Sequence, residues 1–169
     1  MAEPKPVLKR VRGGFTVTWG PYTTRIQIPL KSSNLGGSVP INALVFFGNG
    51  RKQLAHFYGT RSSEIAHLQE IHPNKGVRKT EGLRACGVML QSLEIALKPL
   101  GVERTTGRTH PSFGRFMEQM GYEISEGKTH TDVEKNIKKN GPKLPFRIMP
   151  KLAKKKPRKK PAKPKARRR

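Results

Sequence analysis

The chain has 169 residues, about a third of them apolar, and a formal charge of +24, which bounds it to one modest domain with room for a tail. A single cysteine cannot form an intrachain disulfide framework, and neither it nor the five histidines show a zinc spacing, so no metal site is expected. No apolar run approaches the roughly 18 residues of a membrane span, and "MAEPKPVLKRVRGG" has no apolar stretch behind it; a non-secreted protein of the cytoplasm, nucleoid or nucleus is expected.

Residues 1–13 are rich in proline and charge and are expected to be mobile. Phe15, Val17 and Trp19 alternate with threonine, "GPY" is turn chemistry, and Ile26, Ile28 and Leu30 alternate again, which predicts a hairpin. Pro29 pushes the second strand toward an edge or an end. "KSSNLGGSVP" is a loop. "INALVFF", "GNG" and "RKQLAHFYG" predict a second hairpin, because Gly-Asn-Gly tolerates positive φ. "EIAHLQEIHP" predicts a strand with Ile65, His67, Gln69 and Ile71 on one face and Ala66, Leu68 and Glu70 on the other.

The most regular segment follows. Cys86, Leu90, Leu93, Leu97 and Leu100 fall at steps of four, three, four and three, one stripe of an α-helix, with Gln91, Glu94 and Lys98 as its polar positions and Pro99 and Gly101 at its end. "VERTTG" predicts a short strand. "PSFGRFMEQMGYEI" predicts a short helix capped by Ser112 and stopped by Gly121, then a strand from Tyr122. Thr131 to Glu134 fits a capping box opening a last helix that ends at Asn140–Gly141–Pro142, and "LPFRIMP" reads as a final edge strand. Antiparallel strands followed by strand–helix–strand–helix–strand define an α+β domain over residues 14–149 with a mixed, mostly antiparallel sheet.

The loop before the long helix, "HPNKGVRKTEG", carries Lys75, Arg78 and Lys79 with two glycines. The first N–H groups of a helix have no intrahelical partner and sit at the positive end of its dipole. A pyrophosphate is therefore expected on the backbone of Gly82, Leu83, Arg84, Ala85, Cys86 and Gly87, with Arg78 and Lys79 beside it. The plainer reading is that an amphipathic helix is core and a basic protein places lysine in its loops.

Several stretches have a precedent: Ile71-His72-Pro73 at a strand end, the basic Gly-rich loop, Met89-Leu90-Gln91-Ser92-Leu93-Glu94, Gly101 before a strand, and Phe116-Met117-Glu118-Gln119-Met120-Gly121-Tyr122. From Glu64 to Ile124 the chain resembles the acyl-CoA-binding half of the GNAT superfamily of N-acetyltransferases. The resemblance implies an acyl-CoA N-acyltransferase-like fold with a long and a short helix packed on the sheet. It implies acetyl-CoA as cofactor, an amine as acceptor, and a strand before the long helix that parts from the next to admit the pantetheine arm. By the same resemblance Ile71 joins the cofactor site, Glu70 is the general base, and His110 and Tyr122 are candidates on the leaving-thiolate side. Three departures stand out. Arg84 and Cys86 replace the two central glycines of the pyrophosphate loop. Met117 occupies the position of a tyrosine that protonates the thiolate. The family's two N-terminal helices, which shape the acceptor groove, have no counterpart.

Residues 151–169 hold twelve Lys or Arg and no acid, and residues 1–150 without them still carry +12. Such a segment is expected to be disordered, and its composition resembles linker-histone tails. Lys154, Lys155, Lys156, Arg158, Lys159, Lys160, Lys163, Lys165, Arg167, Arg168 and Arg169 are its candidate nucleic-acid contacts, acting on phosphates without base specificity. Trp19, Tyr22, Phe46, Phe47, Phe57 and Tyr58 are stacking candidates but sit among apolar neighbours, which reads mostly as core. Two functions follow: acyl transfer from acyl-CoA to an amine at or near nucleic acid, or non-enzymatic nucleic-acid binding on the same scaffold, as in packaging or ribosome-associated proteins.

Overall fold

The computed structural model describes residues 4–29, 37–48, 50, 52–139 and 144. The basic tail and "LPFRIMP" apart from Leu144 lie outside the described residues. Alternation builds the first half: β1 (Val7–Val11), β2 (Gly14–Trp19), β3 (Tyr22–Gln27), β4 (Val39–Phe47), β5 (Lys52–Arg61) and β6 (Ile65–Pro73) are successive antiparallel neighbours. Phe15, Val17, Trp19, Tyr22, Ile26, Ile41, Ala43, Val45 and Phe57 all point to one buried face. In the Gly-Asn-Gly turn Gly48 and Gly50 take φ of 64° and 77°, the left-handed region a side chain resists.

The N-terminal segment differs from expectation. Residues 7–11 pair along their whole length with β2, and the Trp19 indole N–H donates to the Pro4 carbonyl at 2.8 Å. The charge and proline that suggested mobility suit an edge strand instead: every β1 residue is exposed, and Lys9 and Arg10 blunt the free edge.

The second half is a β–α–β crossover and a two-stranded extension. α1 (Lys79–Leu97) leads through a 3-10 turn to β7 (Arg104–Thr109), then α2 (Pro111–Gln119), β8 (Glu123–Glu126) and β9 (Thr131–Asn136). The sheet order is β1-β2-β3-β4-β5-β6-β7-β9-β8, and among the described strands only β6 and β7 pair in parallel. The helix expected from the capping box is β9. Thr131, Val133 and Lys135 are buried in strict alternation, and β9 pairs with both β7 and β8; a four-residue cap signal lost to a period-two pattern inside a sheet.

Both helices cover the same face. Gly114 of α2 lies against Thr131, and Lys135, two strand turns on, bonds to Glu94 of α1. Met89, Leu90, Leu93 and Leu97 of α1 are fully buried on the sheet, worth about 1.5–3 kcal/mol each. The opposite face of β1–β6 carries no described helix, and no described residue before Lys79 is helical.

Two of the three polar positions of α1, Gln91 and Glu94, are buried. Glu94 is only 3% exposed, as is Lys135. The Lys135 ammonium donates to both Glu94 oxygens (2.9 and 2.8 Å) and to the Met120 carbonyl (2.8 Å), and the Tyr122 hydroxyl donates to Glu94 (3.1 Å) while accepting from Thr105 (3.3 Å). Burial raises the Glu94 carboxyl above its usual range, with Lys135 and then Tyr122 opposing. The network ties α1, the end of α2, β7 and β9 together.

Candidate active site

β6 and β7 start in register at Ile65 and Arg104, and their pairing stops at Leu68 and Gly107. β6 continues to Pro73 and β7 to Thr109, so the strands part at their carboxyl ends. Gly107 sits at the last rung because a Cβ there would lie 2.8 Å from the Leu68 carbonyl oxygen. The parting opens a cleft of about 300 Å³ lined by Ile71, Met117 and Phe113 from the helix face and by Glu70, His72 and Arg108 from the other, with His110 and Ser112 at its edge.

A β-bulge decides which groups reach the cleft. Tyr58 pairs with Glu70 but Gly59 pairs with Leu68, so Gln69 is an extra residue in β6. Gly59 permits this close approach: a Cβ there would stand 2.4 Å from the His67 carbonyl oxygen. Beyond Gln69 the faces exchange. Ile71 turns inward and packs on the core, while Glu70 and His72 turn to the open face. The simple alternation, which put Glu70 with Ala66 and Leu68, is corrected by this one residue. Glu70 and His72 lie 3.9 Å apart as a potential ion pair.

The start of α1 lies at the same end of the sheet. β6 runs into the turn Asn74–Val77, and the helix begins at Lys79 behind Arg78. Asn74 clamps this turn to β5: its side-chain amide donates to the Gln53 carbonyl (3.2 Å) and its backbone N–H to the Leu54 carbonyl (2.8 Å). No side chain caps the helix, and its first internal bond runs from Gly82 N–H to the Arg78 carbonyl at 2.8 Å. The N–H groups of Lys79, Thr80 and Glu81 thus have no partner within the helix.

This corrects the expected cradle. The N–H groups from Gly82 to Gly87 are inside the helix, and the bare donors come three residues earlier. Gly82 serves packing rather than an anion: a Cβ there would be 2.8 Å from Pro73 Cβ. Ala85, Cys86 and Gly87 are buried, Leu83 is half-buried, and Arg84 is exposed one turn into the helix. Burial pushes the Cys86 thiol up to about 12, so it stays protonated and unreactive. Arg78 and Lys79 are exposed beside the bare donors. Glu81, in the first turn, is neutralised by Lys52 at 3.1 Å.

His110 and Tyr122 part company. His110 is the N-cap of α2, the place expected for Ser112: its Nδ1 accepts from the Ser112 N–H at 3.2 Å and lies 2.8 Å from the Ser112 hydroxyl. With Nδ1 an acceptor, Nε2 carries the proton of the neutral ring. Tyr122 does not line the cleft. It is buried against Glu94, and burial first, then the Glu94 charge, holds its hydroxyl far above the usual range. It is a structural strut, not a proton donor. Met117 is buried in the cleft wall.

His72 enters the sequence reading only through the strand-end stretch Ile71-His72-Pro73, although its place two residues after Glu70 on a strand marks it. Asn74 carries no signal, since its partners are on β5.

No protein-family model matches the chain, and no curated protein matches it. Solved structures do. A protein of Lactobacillus plantarum provisionally assigned as an N-acetyltransferase is 11% identical with a TM-score of 0.50, covering 64% of this chain and 75% of its own. A protein of Sphaerobacter thermophilus provisionally assigned as an acetyltransferase is 9% identical with a TM-score of 0.50, covering 70% and 94%. A GNAT-family acetyltransferase of Elizabethkingia anophelis with acetyl-CoA bound is 8% identical with a TM-score of 0.48, covering 67% and 97%. The chain has the fold of the GNAT N-acetyltransferases.

Among the described residues no helix is long and apolar enough to cross a membrane.

Proposed function

We propose that the chain is an N-acyltransferase that takes acetyl-CoA and acts on an amine at or near nucleic acid. The observation that carries this reading is the coincidence of two features at one sheet end. The parting of β6 and β7 leaves Glu70 on the wall of a cleft, and the N–H groups that open α1 lie at the same end of the sheet. In β–α–β units ligands sit outside the carboxyl ends of parallel strands, where helix dipole and free donors converge.

The residues fit the group. Lys79, Thr80 and Glu81 offer backbone donors to a pyrophosphate, with Arg78 and Lys79 as flanking cations. Ile71, Phe113 and Met117 offer an apolar wall of the right scale for an acyl-thioester arm. Bound acetyl-CoA would supply the acyl group as a thioester. Glu70, exposed on the acceptor side, takes the proton that the amine must lose, with His72 3.9 Å from it. His110 is the remaining donor toward the cleft, through Nε2–H. The acceptor enters over the open sheet face. The basic residues from Lys154 to Arg169 would hold phosphates in a salt-dependent, sequence-independent way.

Met117 favours a second reading. A thioether cannot protonate a thiolate, so the scaffold would be a non-enzymatic nucleic-acid-binding protein with an eroded site. Calorimetry separates the two. The acyltransferase binds acetyl-CoA with a micromolar Kd, and the Arg78→Ala/Lys79→Ala variant binds it about tenfold more weakly. No heat at millimolar ligand would remove the enzyme reading.

A further inference from the structure

No described element covers the outer face of β3–β6, whose composition neither a core nor an ordinary protein interface would use. Three consecutive rungs of the sheet bring it together. Thr23, Phe46 and Gln53 share the first; Arg25, Leu44, His56 and His72 the second; Gln27, Asn42, Tyr58 and Glu70 the third. The Arg25 guanidinium lies 4.8 Å from the Phe46 ring centroid, and the His56 and His72 rings are 5.5 Å apart. Tyr58 is 41% exposed.

From this we infer that the open face is a platform for single-stranded nucleic acid, with Tyr58, Phe46 and the His56–His72 pair as stacking surfaces. Three observations point to that occupant. Phe46, the His56–His72 pair and Tyr58 stand on three successive rungs of one face, about 7 Å from rung to rung along the strands, so one unpaired base can rest on each in turn. Between them stand amides and a guanidinium, Gln27, Asn42, Gln53 and Arg25, which hydrogen-bond to base edges and phosphates; Leu44 alone is a large aliphatic on these rungs, too little for a permanent protein interface. The molecule is a strong polycation, with +12 on residues 1–150 alone, while this patch carries a single carboxylate, Glu70. A duplex hides its bases and cannot use the rings. The inference is independent of acetyl-CoA binding, since it uses only the sheet face.

The test is fluorescence anisotropy of the full chain with a labelled oligothymidylate of about ten nucleotides. It is run at high salt, where the tail's counterion release is suppressed. Tyr58→Ala and Phe46→Ala are each expected to weaken binding about tenfold, and Tyr58→Phe, which keeps the ring, to bind like the original. A duplex of equal length should not displace the oligonucleotide. On the unmutated chain, photo-crosslinking to a bromodeoxyuridine-containing oligonucleotide should mark the peptides holding Phe46 or Tyr58. The inference is overturned by unchanged affinity in both alanine variants, by crosslinks confined to the tail, by equal competition from duplex, or by sedimentation of a dimer that Tyr58→Ala dissociates, which would assign the face to a second copy.

Discussion

Glu70→Gln should lower kcat for acetyl transfer to a polyamine or lysine-rich peptide by about 10²–10⁴-fold, with acetyl-CoA affinity unchanged. The size follows from what the amide lacks. Glutamine keeps the volume and the hydrogen-bonding oxygen but cannot take the proton that the ammonium must lose before the amine can attack. Binding should survive because the amides proposed to hold the pyrophosphate, Lys79 to Glu81, lie on the other side of the β6–α1 turn from Glu70. Raising the pH should restore part of the lost rate, as more of the amine is then already deprotonated. A Glu70→Gln protein with full activity at neutral pH would take the base role from Glu70.

The second large effect concerns stability. Lys135→Met should cost about 3–5 kcal/mol in denaturant unfolding, because it leaves the Glu94 carboxylate buried beside Tyr122 without its cation. Glu94→Leu combined with Lys135→Met should recover most of that loss, since the paired charges pay for their own desolvation only while both are present. The pH dependence has a definite sign. Burial raises Glu94 in the folded state above its unfolded value. Its stabilising contribution is therefore present below the unfolded value and is lost as pH rises through the folded one. Without Lys135 to oppose that rise, the single variant should be least destabilised at acid pH, and progressively more so toward neutrality. Equal loss at all pH values would mean that Glu94 does not titrate with folding.

The network also shows what the sequence could carry and what it could not. Hairpins were legible because each inward residue sits two positions from the next, as from Phe15 to Trp19, and because Gly48 and Gly50 announce their turn. α1 was legible from its leucine spacing, and α2 from Gly121, which takes φ of 85° just past it. Glu94 and Lys135 were not legible as a pair, because forty-one residues separate them and each reads alone as a surface charge. Nor was β1, whose stabilising partners are backbone groups of β2.

In the candidate site the elements were legible and their phase was not. Glu70, Ile71 and His110 all line the cleft that opens where β6 and β7 part. Yet one unpaired residue, Gln69, sets which face Glu70 occupies, and nothing in "EIAHLQEIHP" marks it, because its cause is Gly59 on the neighbouring strand. The cradle was misplaced because "HPNKGVRKTEG" reads as loop through Gly82, whereas α1 begins at Lys79 and Gly82 packs against Pro73. Tyr122 was drawn to chemistry by the motif and to the core by Glu94.

The central claim is that the bare amides opening α1 and the parted carboxyl ends of β6 and β7 form one cofactor site. Amide nuclear magnetic resonance during an acetyl-CoA titration tests it most directly. The account predicts saturable shifts at Lys79, Thr80 and Glu81 together with Glu70, Ile71 and Gly107, and none along β1 to β3. Shifts absent at those six amides, or confined to the far strands, would contradict it.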